Sequence, residues 1–140
     1  MFLKQVSVFL ENSEGRLKSA LLTLKDANID IKSLSLADTR DYGMLRMIVS
    51  DPDGAVDALK NAGFSAHITK VLAVKLADRV GALADLLKDI SGEGINIEYM
   101  YDLSLKGEGA CMVLKVSDKE ACEKLMTGKC YEFVTAESIK

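Results

Sequence analysis

The chain has 140 residues, room for one ordinary domain or two very small ones, and its 49% hydrophobic and 28% charged residues are those of a packed globular protein. Its 18 basic and 21 acidic residues are interspersed and give a net charge of −3, so there is no basic stripe to hold nucleic acid or an anionic membrane. No apolar run approaches the roughly 20 residues that span a bilayer, and Met1 to Gln5 do not read as a leader, so a cytoplasmic location is expected.

Val6, Val8 and Leu10 alternate as in a strand with one buried face. Leu17, Ala20, Leu21 and Leu24 then follow the spacing of an amphipathic helix, which Asn28 ends. Ile29 to Ala37 reads as a second strand, turned through Asp41-Tyr42-Gly43 into a third at Met44 to Val49. Asp51 before Pro52 starts a second helix to Asn61, and Ser65 to Thr69 forms a fourth strand. From there the pattern returns. Leu72, Val74 and Leu76 alternate, Leu83, Leu86, Leu87 and Ile90 make a helical stripe, and Gly92 with Gly94 stops it. Ile95 to Leu105 and Ala110 to Val116 read as a hairpin, Ser117 with Glu120 as a capping box before a helix over Asp118 to Met126, and Tyr131 to Thr135 as a last strand. No loop-forming residues separate Thr69 from Val71, so the fourth strand is expected to run straight on into the fifth.

The return is a true repeat. The shift that carries Gly15 onto Gly81 also carries Lys4 onto Lys70, Val8 onto Val74, Leu21 onto Leu87, Ile29 onto Ile95 and Gly43 onto Gly109. After Gly43 the register slips by one residue, and Ser50-Asp51 falls on Ser117-Asp118. The expected fold is therefore α+β: two ferredoxin-like βαββαβ units, residues 1–69 and 70–140, each an antiparallel sheet with both helices on one face.

Little in the chain points to catalysis or metal binding. His67 is the one histidine, no HExxH, GxSxG or phosphate-cradling glycine loop occurs, and Asp38, Asp41, Asp51 and Asp53 stand where turns and caps use carboxylates. Neither an enzyme nor a cofactor is expected. Cys111, Cys122 and Cys130 form no CxxC pair and read as buried or half-buried thiols. The third strands carry no aromatic residue, against the base-stacking sheets of RNA-binding modules, although Tyr99 and Tyr101 alternate on a second strand.

The remaining signal lies between the first strand and first helix of each unit, Asn12 to Leu17 and Asp78 to Leu83. Each places a polar residue and then glycine at a helix start, where backbone can approach a ligand and free N–H groups favour a carboxylate; a plain structural turn explains the same spacing. Together with Asn28-Ile29-Asp30-Ile31 and Gly94-Ile95-Asn96-Ile97, these loops resemble the ACT domain, a small regulatory module that binds amino acids. The resemblance covers nearly the whole chain. Glu14 and Val80 stand where ACT loops often carry proline, and Asp30 stands in place of asparagine.

What the resemblance implies is a free amino acid held between paired ACT units. It points to Asn12, Gly15, Arg16, Leu17, Asp78, Arg79, Gly81, Ala82 and Leu83 from the loops, and to Asp30, Ile31, Asn96 and Ile97 from the strands. Lys88, on the far face of its helix, is expected to lie outside the site. The expected protein is a non-enzymatic amino-acid-binding regulator and a homodimer. Alternatives are a regulatory subunit of an amino-acid-pathway enzyme such as acetolactate synthase, whose small subunit is similar in carrying an ACT domain, a small ferredoxin-like enzyme, and a structural pairing module with vestigial loops.

Overall fold

A computed structural model describes residues 1–38 and 41–140, with only the backbone of Asp38, so the role read for that carboxylate lies outside the described residues. The chain divides into two compact units: Lys4–Thr69 with Ile139–Lys140, and Lys70–Ser138 with Met1–Leu3. Along it run β1 (Leu3–Glu11), α1 (Arg16–Asp26), β2 (Ile31–Asp38), β3 (Tyr42–Val49), α2 (Pro52–Asn61), β4 (Ser65–Lys75), α3 (Ala82–Ser91), β5 (Ile97–Leu105), β6 (Gly109–Val116) and α4 (Lys119–Gly128). Among these elements, six strands and four helices repeat the βαββαβ pattern. As expected from the missing loop at Thr69, β4 is one continuous strand.

In the first unit the strand order is β2-β3-β1-β4. β3 pairs antiparallel with β1, Val8 opposite Leu45, and with β2, Leu36 opposite Leu45. The alternation in β1 puts Val6, Val8 and Leu10 on one face, where they meet Leu45, Met47 and Val49 from β3. Ala20 and Leu24 of α1 and Ala55, Val56 and Leu59 of α2 close the same core, so both helices cover that face. Asp51 caps α2 by accepting the Gly54 N–H at 3.1 Å, with Pro52 in the first turn, and Asp53 pairs with Lys4 at 2.9 Å.

The second unit follows the order β4-β6-β5, Leu72 opposite Leu114 and Met100 opposite Leu114. Leu72, Val74, Leu86, Ile90, Leu114, Val116, Cys122 and Met126 build its core. Two expectations fail here. Tyr131 to Thr135 is no strand: Phe133 makes one antiparallel bridge to Val74, flanked by Lys75 N–H to Glu132 O at 2.8 Å and Val134 N–H to Ala73 O at 2.9 Å. Ser138 N–H then bonds Thr135 O at 3.1 Å and bends the chain into a short 3-10 turn before a ladder can lengthen. The cap of α4 is Asp118, which accepts the Ala121 N–H at 3.1 Å, and Ser117 serves elsewhere. Cys111 and Cys122 are buried, whereas Cys130, which lies beyond the end of α4, is exposed and not the half-buried thiol expected.

Among the described residues, no helix is long and apolar enough to cross a membrane. Among the described residues, no group of His, Cys, Asp and Glu gathers that could hold a metal ion. His67 is exposed on β4.

Candidate functional site

The two glycine loops are built alike. Gly15 and Gly81 take the left-handed conformation at φ 83° and 86°, as the residues immediately before α1 and α3, with no side chain capping either helix. Ser13 N–H reaches Glu11 O at 2.8 Å and Arg79 N–H reaches Ala77 O at 2.9 Å. The Ser19 N–H to Gly15 O and Asp85 N–H to Gly81 O bonds, both 2.9 Å, open the two helices identically. Each loop thus offers uncapped backbone N–H groups at the positive end of a helix dipole, a place suited to a carboxylate.

Their side chains differ. Arg16 lays its guanidinium over the Phe64 ring, 4.3 Å from the centroid, whereas its counterpart Ala82 is buried. Arg79 turns to Asp85 at 2.7 Å. Leu17 packs against the first core, Leu83 stays partly exposed, and Asp78 is exposed. The backbone N–H of Asn12 donates to Asp41 O at 3.0 Å, which ties the first loop to the β2–β3 turn.

The strand starts form the other half of the constellation. Asp30 donates its N–H to Ser50 Oγ at 2.9 Å and accepts the Ser50 N–H at 2.9 Å. Asn96 does the same with Ser117, at 3.0 and 2.9 Å. Ser50 and Ser117 were not singled out for this task from sequence, although the slipped repeat that superposes them was the available signal. Beside each strand start lies an open depression. The first, about 410 Å³, is lined by Leu21, Lys25, Asn28, Ile29, Asp30 and Ile31. The second, about 540 Å³, is lined by Ala84, Leu87, Lys88, Ser91, Ile95, Asn96 and Ile97. They occupy matching positions of the repeat, and Lys88, expected to lie outside, is on the rim.

The charges at the two strand starts differ. The Asp30 carboxylate meets Lys32 Nζ at 2.6 Å, and the hydrogen bond from that ammonium holds the carboxyl below its ordinary range. Asn96 is neutral and exposed, and Glu98, at the position matching Lys32, is engaged by Lys115 at 3.2 Å.

Within one unit the two halves do not meet. Glu11, just before the first loop, is opposite Tyr42 at the start of β3, while Ile31 is opposite Val49 at its end. At the rise of an extended strand that separates them by about 23 Å. In the second unit Lys75 is opposite Cys111 and Ile97 opposite Val116, so loop 78–83 and Asn96 are likewise at opposite ends of β6. The structure therefore brings Asp30 and Ile31 together, and Asn96 and Ile97 together, but keeps both apart from their own loops.

The repeated βαββαβ frame with its glycine loops has a counterpart among known families: the model of the ACT domain pair matches residues 1–140. The chain belongs to the ACT domain pair family. A crystal structure of a Bacteroides thetaiotaomicron protein superposes on this ACT pair with a TM-score of 0.92 at 38% identity, covering 99% of this chain and 96% of that one. The regulatory subunit of aspartate kinase from Thermus thermophilus, in ligand-free form, shares the fold at a TM-score of 0.63 and 14% identity, over 92% of this chain and 94% of its own. The corresponding subunit from Thermus flavus reaches 0.56 at 16% identity, over 90% and 92%. No match is found among curated proteins.

Proposed function

We propose that this ACT domain pair is a non-enzymatic regulator in the cytoplasm that binds a free amino acid where ACT units pair. The observation that carries the reading is the twice-built combination of an uncapped helix start behind a left-handed glycine and a serine-braced strand start. The loop amides would take the ligand carboxylate, and Asp78 or Asn96 the ammonium. The reading goes with a homodimer, joined by the isologous contact typical of twofold pairs. Light scattering that reports about 15 kDa at micromolar concentration would contradict the dimer.

Thermal melting with each standard amino acid tests the binding. A ligand at 100 times its dissociation constant adds about 2.7 kcal/mol, or about 5 to 11 °C of midpoint for a chain of this size. Gly81→Asp should remove the shift, since its charge opposes a carboxylate and its side chain crowds the ligand, and Gly15→Asp compares the other unit. Silence from every amino acid, in melting and calorimetry alike, sinks the reading and leaves a structural pairing module. A second reading makes the chain a regulatory subunit of an amino-acid-pathway enzyme. It is favoured by the Thermus thermophilus aspartate kinase regulatory subunit, in which 94% of the chain is matched by this one. Co-purification of a catalytic partner decides between them.

A further inference from the structure

The two strand-start depressions share a backbone and differ in side chains. Ser50 and Ser117 hold residues 30 and 96 by the same pair of bonds, so any difference in ligand affinity between the positions comes from what projects there. Resting on the amino-acid reading above, we infer that the chain takes one amino acid, at the start of β5, and that the twin position at the start of β2 is already satisfied from within by the Asp30–Lys32 ion pair.

An α-amino acid presents an ammonium and a carboxylate on adjoining atoms. The Asn96 carboxamide carries on one planar group an acceptor for the ammonium and a donor that can share the carboxylate with the loop amides. Lys88 and Ser91 on the same rim add a cation and a hydroxyl, over an apolar floor of Leu87, Ile95 and Ile97. At the start of β2 an incoming ammonium must displace Lys32, which is tethered two residues away and loses no translational freedom in pairing with Asp30 at 2.6 Å. The Asp30 carboxylate also has no proton to donate and repels the ligand's own carboxylate. Asp30 is exposed, so the ion pair alone is worth up to about fivefold, and the donor lost to the ligand's carboxylate multiplies that by about tenfold or more.

Titration calorimetry of the full chain with the twenty standard L-amino acids, one at a time, reads the stoichiometry directly. The amino acid that binds is expected to do so at one per chain. Asn96→Asp, which places a carboxylate near Glu98, should abolish binding, and Asp30→Asn, which frees the first depression, should raise the stoichiometry to two. Both side chains are exposed and the serines brace the backbone, so melting without ligand should be unchanged. Asn96→Ala stands in if Asn96→Asp folds poorly. Two equal sites in the unmodified chain, binding that survives at Asn96→Asp or Asn96→Ala, or an Asp30→Asn variant that stays at one overturns the inference and leaves the amino-acid reading standing. If no amino acid binds the unmodified chain or the Asp30→Asn variant, the amino-acid reading itself falls and this inference with it.

Discussion

Just beyond the second helix of the first unit, Phe64 is buried under the guanidinium of Arg16. At the matching place in the second unit, Tyr131 donates its hydroxyl to Asp89 Oδ2 at 2.8 Å, with Lys129 3.5 Å from the same carboxylate. A cation over a ring in one copy and a phenol on a carboxylate in the other fasten the same segment to the same helix. The backbone devices did not diverge in this way: the left-handed glycines before α1 and α3 and the serine braces are nearly superposable in their bonds. Backbone conformation admits few substitutes, whereas a side-chain tether can be exchanged for any other of similar reach.

The strongest challenge to this comparison is in the cores. Leu24 and Ile90 are fully buried at matching places, and Leu24→Ala or Ile90→Ala should each cost about 2 to 5 kcal/mol in urea denaturation. A large loss for one and none for the other would show that the units do not carry equivalent cores. Next come the glycines. No atom lies within 4 Å of a Cβ placed at Gly15 or Gly81, so Gly15→Ala and Gly81→Ala test backbone strain alone, at about 1 to 2 kcal/mol each by thermal melting. Unequal losses would break the claim that the two loops are the same device.

Much of this was legible in the chain. Gly15 and Gly81, the helix stripes, Asp51 as a cap and the run-on at Thr69 are local or periodic features, and the structure shows each of them. The cap of α4 was misplaced by one residue because Ser117 and Asp118 are both good caps; the pull of Asn96 on Ser117, a contact distant in sequence, decides between them. The last strand was lost for a similar reason, since the alternation of Tyr131 to Thr135 says nothing of the turn at Ser138. The separation of each loop from its own strand start depends on sheet register, which spacing does not encode.

A smaller effect is expected where the copies chose different residues for one conformation. After α2 the chain turns through Gly63 at φ 89°, and after α4 through Cys130 at φ 64°. Cys130→Gly should gain about 0.5 to 1 kcal/mol and Gly63→Ala should lose about 1, read as opposite shifts of the melting midpoint. Like shifts for both would mean that the two turns are not equivalent.

The least of the effects concerns pH. The bond from Tyr131 holds the Asp89 carboxyl below its ordinary range, so the stability it adds is present above the unfolded carboxylate pKa and is lost as pH falls through the lower folded value. Burial, with Asp89 second, pushes the Tyr131 phenol up to about 12, so its contribution is whole below the ordinary tyrosine pKa of 10.0 and lost as pH rises through about 12. Tyr131→Phe should flatten both limbs of the stability profile by copying Phe64. An unchanged profile would mean that the tether carries no linkage.

On the amino-acid reading proposed above, the serine braces bear on how such a protein changes its ligand. With the amide and carbonyl of residues 30 and 96 both spoken for by Ser50 and Ser117, the side chain at either position is not needed to hold the strand start and would serve as an exchangeable reading head on a fixed mount. One codon can then rewrite what the head recognises while the mount stays as it is, and a gene that carries the mount twice can try a new letter in one copy without surrendering the old one.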